Sequence, residues 1–299
     1  MTTSVVVFGS CNMDLVAYVP VAPGQGETVT GREFRTVPGG KGANQAIAAA
    51  KAGADVRMIG AVGEDDFGAE IRRTFRESTV DIQGLRTAPG RSGTAHIVVD
   101  DEGNNSIIAI PAANGTVDGL ADGDEEIIAA SGSLLLQLEI PQSGVAAAAA
   151  AGKRHGVRVV LTPAPAVPLP EDLLRDVDLL VPNEHEAAVL TGQEDPERAL
   201  SALLELVPEV VITLGSRGCV YGHRDGVRHE VPAFPVQAVD TTAAGDTFVG
   251  VLSTALGEGA DVPGALRRAA AGSALSVQRT GATSAMPGRE EINRFLANR

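Results

Sequence analysis

The stretch Val236–Leu256, VQAVDTTAAGDTFVGVLSTAL, decides how the rest of the chain is read. It opens like a buried strand and passes through a run of small residues to a carboxylate at Asp246. Apolar residues then recur at Phe248, Val251, Leu252, Ala255 and Leu256. That spacing predicts a helix, and its start falls on Ala243, Ala244, Gly245 and Asp246. A helix start presents unpaired backbone N–H groups and the positive end of the macrodipole, a setting that favours an anion such as phosphate. As an N-cap, Asp246 would contribute about 1 kcal/mol, but capping does not account for the Ala-Ala-Gly before it, whose minimal side chains let a ligand approach the backbone. A carboxylate beside an anion site raises the cost of binding phosphate unless it takes part in the reaction, by removing a proton from a hydroxyl that attacks phosphorus. Gly245 and Asp246 therefore read together as an anion hole with its general base.

Outward from this stretch, strand-like runs SLLLQLE, VRVVLT, VDLLVP and EVVITLG alternate with helical stretches SGVAAAAAAGKRHG, NEHEAAVLTG and PERALSALLELV. Earlier, GGKGANQAIAAAKAG reads as a glycine entry into a helix with Ala43, Ala46, Ile47 and Ala50 on one face, followed by the strand VRMIGAVG. Strands alternating with helices imply crossover units and a parallel sheet covered on both faces. DLVAYVP with TVTGREFRTV, and TAHIVVDDEGNNSIIAI with a hairpin signal at Asp101–Asn105, break the rhythm. Strands without intervening helices predict a small separate antiparallel sheet, placed here as a lid over the open end of the main sheet.

The 299 residues suffice for a large core, and the formal charge of −14 disfavours a nucleic-acid or anionic-membrane surface. Cys11 and Cys219 belong to no metal-spaced cluster and read as buried free thiols of a reducing cytoplasm. With no signal peptide or spanning segment in the sequence, the expected location is cytoplasmic.

In an open parallel sheet, ligands bind beyond the carboxyl ends of the strands. Glu139, Thr162, Asn183 and Thr213 each follow an apolar run there and, with Asp240 and Asp246, would line one crevice. Asn183 could equally cap a helix, and Thr213 could open a turn. PGGKGANQA is neither a Walker A loop nor a dinucleotide fingerprint. Its Lys41 and Asn44, read as exposed donors, with the backbone at Gly39 and Gly40, suit a polyhydroxylated small molecule, and Asp14 could grip two vicinal hydroxyls.

These segments, with TPAPA, TLGSRG and RTGATSAMP, resemble the ribokinases of the PfkB family of carbohydrate kinases over nearly the whole chain. The resemblance implies an α/β, ribokinase-like, three-layer doubly wound fold with a mostly parallel sheet and a small antiparallel β lid. It implies one domain over 1–299, the lid being built from about 12–37 and 93–111; the exposed edges of so small a sheet predict a homodimer formed through the lid. The implied reaction is ATP-dependent phosphorylation of a sugar, D-ribose to ribose 5-phosphate being the name-giving case. Carried over by position, Asp246 resembles the base and Ala243, Ala244 and Gly245 the anion hole; Asp14, Gly40, Lys41, Asn44 and Glu139 match the sugar contacts. Asn183, Thr213, Gly215, Ser216 and Gly218 match the ATP side, and Asn183 with Glu186 the N-x-x-E element that influences Mg²⁺. Asp240, Thr242, Ser276, Arg279 and Gly281 occupy the places around a bound K⁺.

Three positions depart from the family pattern. Thr162 stands where an asparagine is common, near the rim of the site. His96 replaces a small residue and either narrows the sugar pocket or stands as a surface histidine on the lid. Ala285, beside Ser284, replaces a serine of the cation site. The alternatives are a PfkB kinase for deoxyribose, fructose or a nucleoside such as adenosine, a non-catalytic sugar or nucleotide sensor, and a dinucleotide oxidoreductase. An intact Asp246 argues against the sensor, since a pure binder gains nothing from a base beside an anion hole. The missing glycine spacing in the first βα turn argues against the oxidoreductase.

Overall fold

The computed structural model describes residues 3–299; Met1 and Thr2, which the expected domain includes, lie outside the described residues. The chain opens with β1 (Ser4–Phe8), β2 (Asn12–Tyr18), β3 (Glu33–Gly39), α1 (Lys41–Ala52), β4 (Asp55–Gly63), α2 (Asp66–Glu77), β5 (Val80–Asp81), β6 (Leu85–Ala88), β7 (Gly93–Val99) and β8 (Asn105–Ile110). It continues through α3 (Asp124–Ala129), β9 (Ser133–Leu136), α4 (Gln142–Arg154), β10 (Arg158–Leu161), α5 (Glu171–Arg175), β11 (Leu179–Leu180), α6 (Glu184–Thr191) and α7 (Pro196–Leu204). The last part is β12 (Glu209–Thr213), β13 (Cys219–His223), β14 (Arg228–Val231), α8 (Ala244–Gly257), α9 (Val262–Ser276) and α10 (Arg289–Ala297).

The main 10-stranded sheet runs β14-β13-β12-β11-β10-β9-β1-β4-β5, with β6 also paired to β4. Its pairings are parallel from β12 through β5, and β13 and β14 turn back antiparallel at one edge. Period-two alternation divides the core: Val5 and Val7 pack among residues of α1, α8 and α9, whereas Val6 and Phe8 pack with α4 and α7 on the other face. A strand covered on both sides is apolar throughout, which is why SVVVF and SLLL read as continuous runs. This three-layer doubly wound arrangement is the one expected.

The 4-stranded lid has the order β3-β2-β7-β8. Its outer pairings are antiparallel, and the central β2–β7 pairing is parallel. Both central strands follow a strand of the main sheet through a short link, β2 after β1 and β7 after β6, so they rise from it in the same direction.

One expectation fails. Val236–Val239 is not a buried strand: the last strand ends at Val231, and Val239 is exposed. Pro232 and Pro235 remove ladder donors from this segment, and the Val239 and Asp240 amides instead donate to the Val277 carbonyl at 2.7 and 3.1 Å.

Both cysteines are buried and free, and burial pushes the Cys219 thiol up to about 12. No helix among the described residues is long and apolar enough to cross a membrane.

Candidate active site

β1 sits between β9 and β4, the point at which the strand order reverses. A crevice therefore opens at the carboxyl ends of these strands. Helix α8 begins there. Ala243, its N-cap residue, takes a left-handed conformation (φ 57°, ψ 18°) and supplies no side-chain cap. Strained non-glycine backbone of this kind persists where the surroundings enforce it; here Thr247 Oγ1 donates to the Ala243 carbonyl at 2.9 Å, and Ser273 Oγ to the Ala244 carbonyl at 2.7 Å. Gly245 and Asp246 lie in the first turn, where helix N–H groups have no intrahelical acceptor, and the space where a Gly245 side chain would stand is open. An anion can approach.

Asp246 itself is only 7% exposed. Asn44 Nδ2 donates to its Oδ2 at 3.2 Å and Gln45 Nε2 to its Oδ1 at 3.0 Å, both from α1. Asn44 is thus a buried residue rather than the exposed donor expected, because α1 packs directly on α8. Burial raises the Asp246 pKa above the usual carboxylate range, opposed by the Lys41 charge and by the Gln45 and Asn44 donors. Burial also opposes the charge on Lys41, but Asp246, Glu139, Glu186 and Asp14 outweigh it and hold the ammonium above its ordinary pKa. Glu139 Oε2 accepts from the Lys41 amide at 2.9 Å and from Ser10 Oγ at 2.6 Å, which ties the start of α1 to the end of β9.

Asp14 enters from the lid. Its carboxylate lies over Gly39, where any Cβ would overlap it. Gly40 turns the chain into α1 at φ 89°, a conformation that favours glycine. Burial, then repulsion from Glu139 and Asp246, raises the Asp14 pKa to about 7 despite the Lys41 charge. Asp14, Lys41, Asn44, Glu139 and Asp246 are therefore brought together.

The segment matched to the nucleotide side lies along the same end of the sheet. Asn183 caps α6 in a capping box with Glu186, at 2.8 Å in each direction, and forms an isolated bridge with Thr213. Glu186 feels the charges of Lys41 and Asp246, although burial is what chiefly raises its pKa. Beyond Thr213 the turn Gly215–Arg217 leaves Ser216 exposed, and Gly218 follows at φ 104°.

Asp240 joins two loops, accepting from the Thr242 amide at 2.9 Å and the Gly281 amide at 2.8 Å. Burial opposes its charge, but these donors hold its pKa below the usual range. Ser276 Oγ donates to the Ser273 carbonyl, and the Arg279 guanidinium pairs with Glu291. Arg279 could serve a cation only through its backbone. Ser284 is exposed and Ala285 buried. Among the described residues, no group of three or more His, Cys, Asp or Glu could hold a metal ion.

Two of the departures read differently in the structure. His96 pairs with Leu15, one register step from the Asp14–Ala95 pair, so it lies on the opposite lid face from Asp14 and is exposed. It cannot narrow a pocket on the Asp14 side; Ala95 is the residue that faces that way. Thr162 is buried behind the base, where its Oγ1 accepts from Gln45 Nε2 at 3.2 Å, instead of standing at the rim.

The chain matches the model of the pfkB family of carbohydrate kinases over residues 2–289. The chain belongs to the PfkB family. Within it, the chain is 41% identical to the ribokinase of Schizosaccharomyces pombe, over 97% of this chain and 96% of that one. It is also 41% identical to the ribokinase of Haemophilus influenzae, over 99% of each. The structure superposes on Arabidopsis thaliana ribokinase complexed with ribose and ATP with a TM-score of 0.93 and 35% identity, covering 99% of both chains. The fold, the lid and the crevice are those of a ribokinase-type carbohydrate kinase, a phosphotransferase.

Proposed function

We propose that the chain transfers the γ-phosphoryl group of ATP to the primary hydroxyl of D-ribose, giving ribose 5-phosphate and ADP. The observation that carries this reading is the buried Asp246 carboxylate one residue beyond the open backbone at Gly245, with the Asp14–Lys41–Asn44–Glu139 cluster around it. Asp246 takes the hydroxyl proton as the new O–P bond forms; the bond between the β- and γ-phosphates breaks, and its electrons leave with ADP. The amides at the start of α8, across Ala243, Ala244 and Gly245, receive the charge that develops on the transferring phosphoryl oxygens. Asp14 accepts hydrogen bonds from two sugar hydroxyls. On the nucleotide side, Asn183, Thr213, Gly215, Ser216 and Gly218 would frame the ATP, and Glu186 with Asn183 would influence its Mg²⁺, which would supply positive charge on the phosphates.

The oxygen set near the anion hole fits a hard monovalent cation such as K⁺: one Asp240 carboxylate and backbone carbonyls around Thr242, Ser276, Arg279 and Gly281. When bound, K⁺ would supply positive charge beside the anion hole and lessen the repulsion between Asp246 and phosphate. The same reading treats the chain as one catalytic unit, with lid segments at 12–37 and 93–111, and as a cytoplasmic homodimer that binds neither nucleic acid nor membrane. The lid leaves the outer edges of β3 and β8 unpaired and exposes Phe34 (64%) and Ile108 (67%), which is the condition for pairing with a second copy. Light scattering across concentrations should give twice the monomer mass; a monomer mass would remove the lid-to-lid dimer.

ADP release from ATP and Mg²⁺, with and without K⁺, over ribose, deoxyribose, fructose, adenosine and uridine tests the assignment. A preference for ribose is expected. Turnover of another acceptor would keep the mechanism and change the substrate, and no turnover on any would favour a sensor.

Asp14 predicts a pH dependence. With its pKa raised to about 7, it is increasingly protonated as pH falls through that value and loses its acceptors. KM for ribose should rise on going from pH 8 to about 6 while KM for ATP holds. The sign for stability is opposite to that of an ordinary ion-paired aspartate: this group favours the folded state at low pH, and that contribution is lost as pH rises from the unfolded value through about 7. A pH-independent KM for ribose would place Asp14 outside the sugar site.

A further inference from the structure

Gln45 and Gln137 are both completely buried, on α1 and just beyond β9. Gln137 continues the run Ser133–Leu136, whose leucines are fully buried, so an apolar residue would serve folding better there. Its Oε1 has no hydrogen-bond partner, and a side chain on Gly9 would overlap that oxygen. Keeping a buried, half-satisfied amide in a core strand is costly, so the glutamine is doing something other than filling space. Gln137 Nε2 donates to Gln45 Oε1 at 2.6 Å. That bond settles which way the Gln45 amide faces, and both Nε2 hydrogens are then used, one on Asp246 Oδ1 at 3.0 Å and one on Thr162 Oγ1 at 3.2 Å. Turned over, Gln45 would press its carbonyl oxygen against the Asp246 carboxylate.

We propose that Gln45 is a positioning residue for Asp246 and that Gln137 sets the sense of its amide, so that proton acceptance in the crevice depends on a buried glutamine pair. The proposal rests on the reading of Asp246 as the base. With one donor on each oxygen, Gln45 on Oδ1 and Asn44 on Oδ2, the carboxylate is fixed from the α1 side and keeps a lone pair for the proton. Thr162 belongs to the same device: its hydroxyl occupies the second Gln45 hydrogen, which otherwise would be a buried donor without an acceptor.

The test uses Gln45→Met, Gln137→Met and the double variant, near-isosteric changes without hydrogen bonds, compared with Asp246→Asn. Loss of a hydrogen bond to a charged group predicts a fall in kcat of about 10- to 100-fold in Gln45→Met, with KM for ribose and for ATP within about 3-fold. The acid limb of the kcat–pH profile should move to higher pH, since a donor to the carboxylate is gone; Lys41, Glu139, Asp14 and Glu186 still face it. Gln137→Met should show a smaller loss in the same sense. The double variant should be no slower than Gln45→Met, because both act through one amide. A folded Gln45→Met with parental kcat and an unmoved acid limb, or strictly multiplicative losses in the double variant, would overturn the proposal. If Asp246→Asn abolishes turnover while Gln45→Met keeps parental kcat and an unmoved acid limb, the pair alone is refuted. Parental turnover in Asp246→Asn refutes the base and the pair together. Should Gln45→Met fail to fold, Gln137→Met, which does not touch Asp246, carries the test through the same kcat and pH readouts.

Discussion

Turnover of ribose by Asp246→Asn should fall by about 10³-fold, within the range associated with removing a general base. The substitution is nearly isosteric: the new amide oxygen can still accept from Gln45, and its NH2 can donate to Asn44 Oδ1, now without a partner, once the Asn44 amide turns over. ATP and ribose should bind with little change when measured by calorimetry, because the sugar contacts at Asp14 and Glu139 and the amides at the start of α8 are untouched. Removing the buried negative charge also relieves desolvation, the main cause of the raised Asp246 pKa, so thermal stability should hold or rise. Parental kcat in this variant would mean that the hydroxyl proton leaves by another route and that Asp246 serves only to orient the helix start.

The second large effect comes from a residue that touches no substrate. Gly250, one turn along α8 from Asp246, faces α1: a Cβ there would lie 2.6 Å from Ala48 Cβ, 2.8 Å from the Ala49 nitrogen and 2.9 Å from the Gln45 carbonyl oxygen. Two of these neighbours are backbone and cannot swing aside. Gly250→Ala must separate the helices, although alanine is the better helix former by roughly 1 kcal/mol. Overpacking of this kind typically costs 1–3 kcal/mol, and for a chain of this size the melting temperature should fall by roughly 2–5 °C. The separation lengthens the Asn44 and Gln45 hydrogen bonds to Asp246, so kcat should fall well below the melting temperature while the chain remains folded. An unchanged melting temperature and kcat would show that the seam has slack and does not hold the base in register.

Much of this was legible in the sequence because the responsible signals are local. Alternation of strand and helix, the glycine entry at Gly40 and the small residues before Asp246 each act through backbone conformation or short-range spacing, and all appear where expected. The signals that failed are those set by tertiary partners. Val236–Val239 has strand-like composition, but its prolines leave it irregular against the end of α9. His96 stands one residue from Ala95, and in a strand a single step reverses the face. Gln45 and Gln137 went unread since a polar residue inside an apolar run is ambiguous until its partner, far away in sequence, is known. The one available hint was the glutamine closing SLLLQ, an uncommon choice for a strand buried on both faces.

The groups that hold Asp246 come from α1, β9 and β10, none of them in the lid, whereas Asp14 and Ala95 come from the lid alone. The molecule thus carries part of its proposed acceptor site on a separate sheet from the groups that hold the base, while Asn44 serves both. A lineage of such proteins can explore new substrates by rewriting a solvent-facing flap while the machinery of proton transfer is inherited intact.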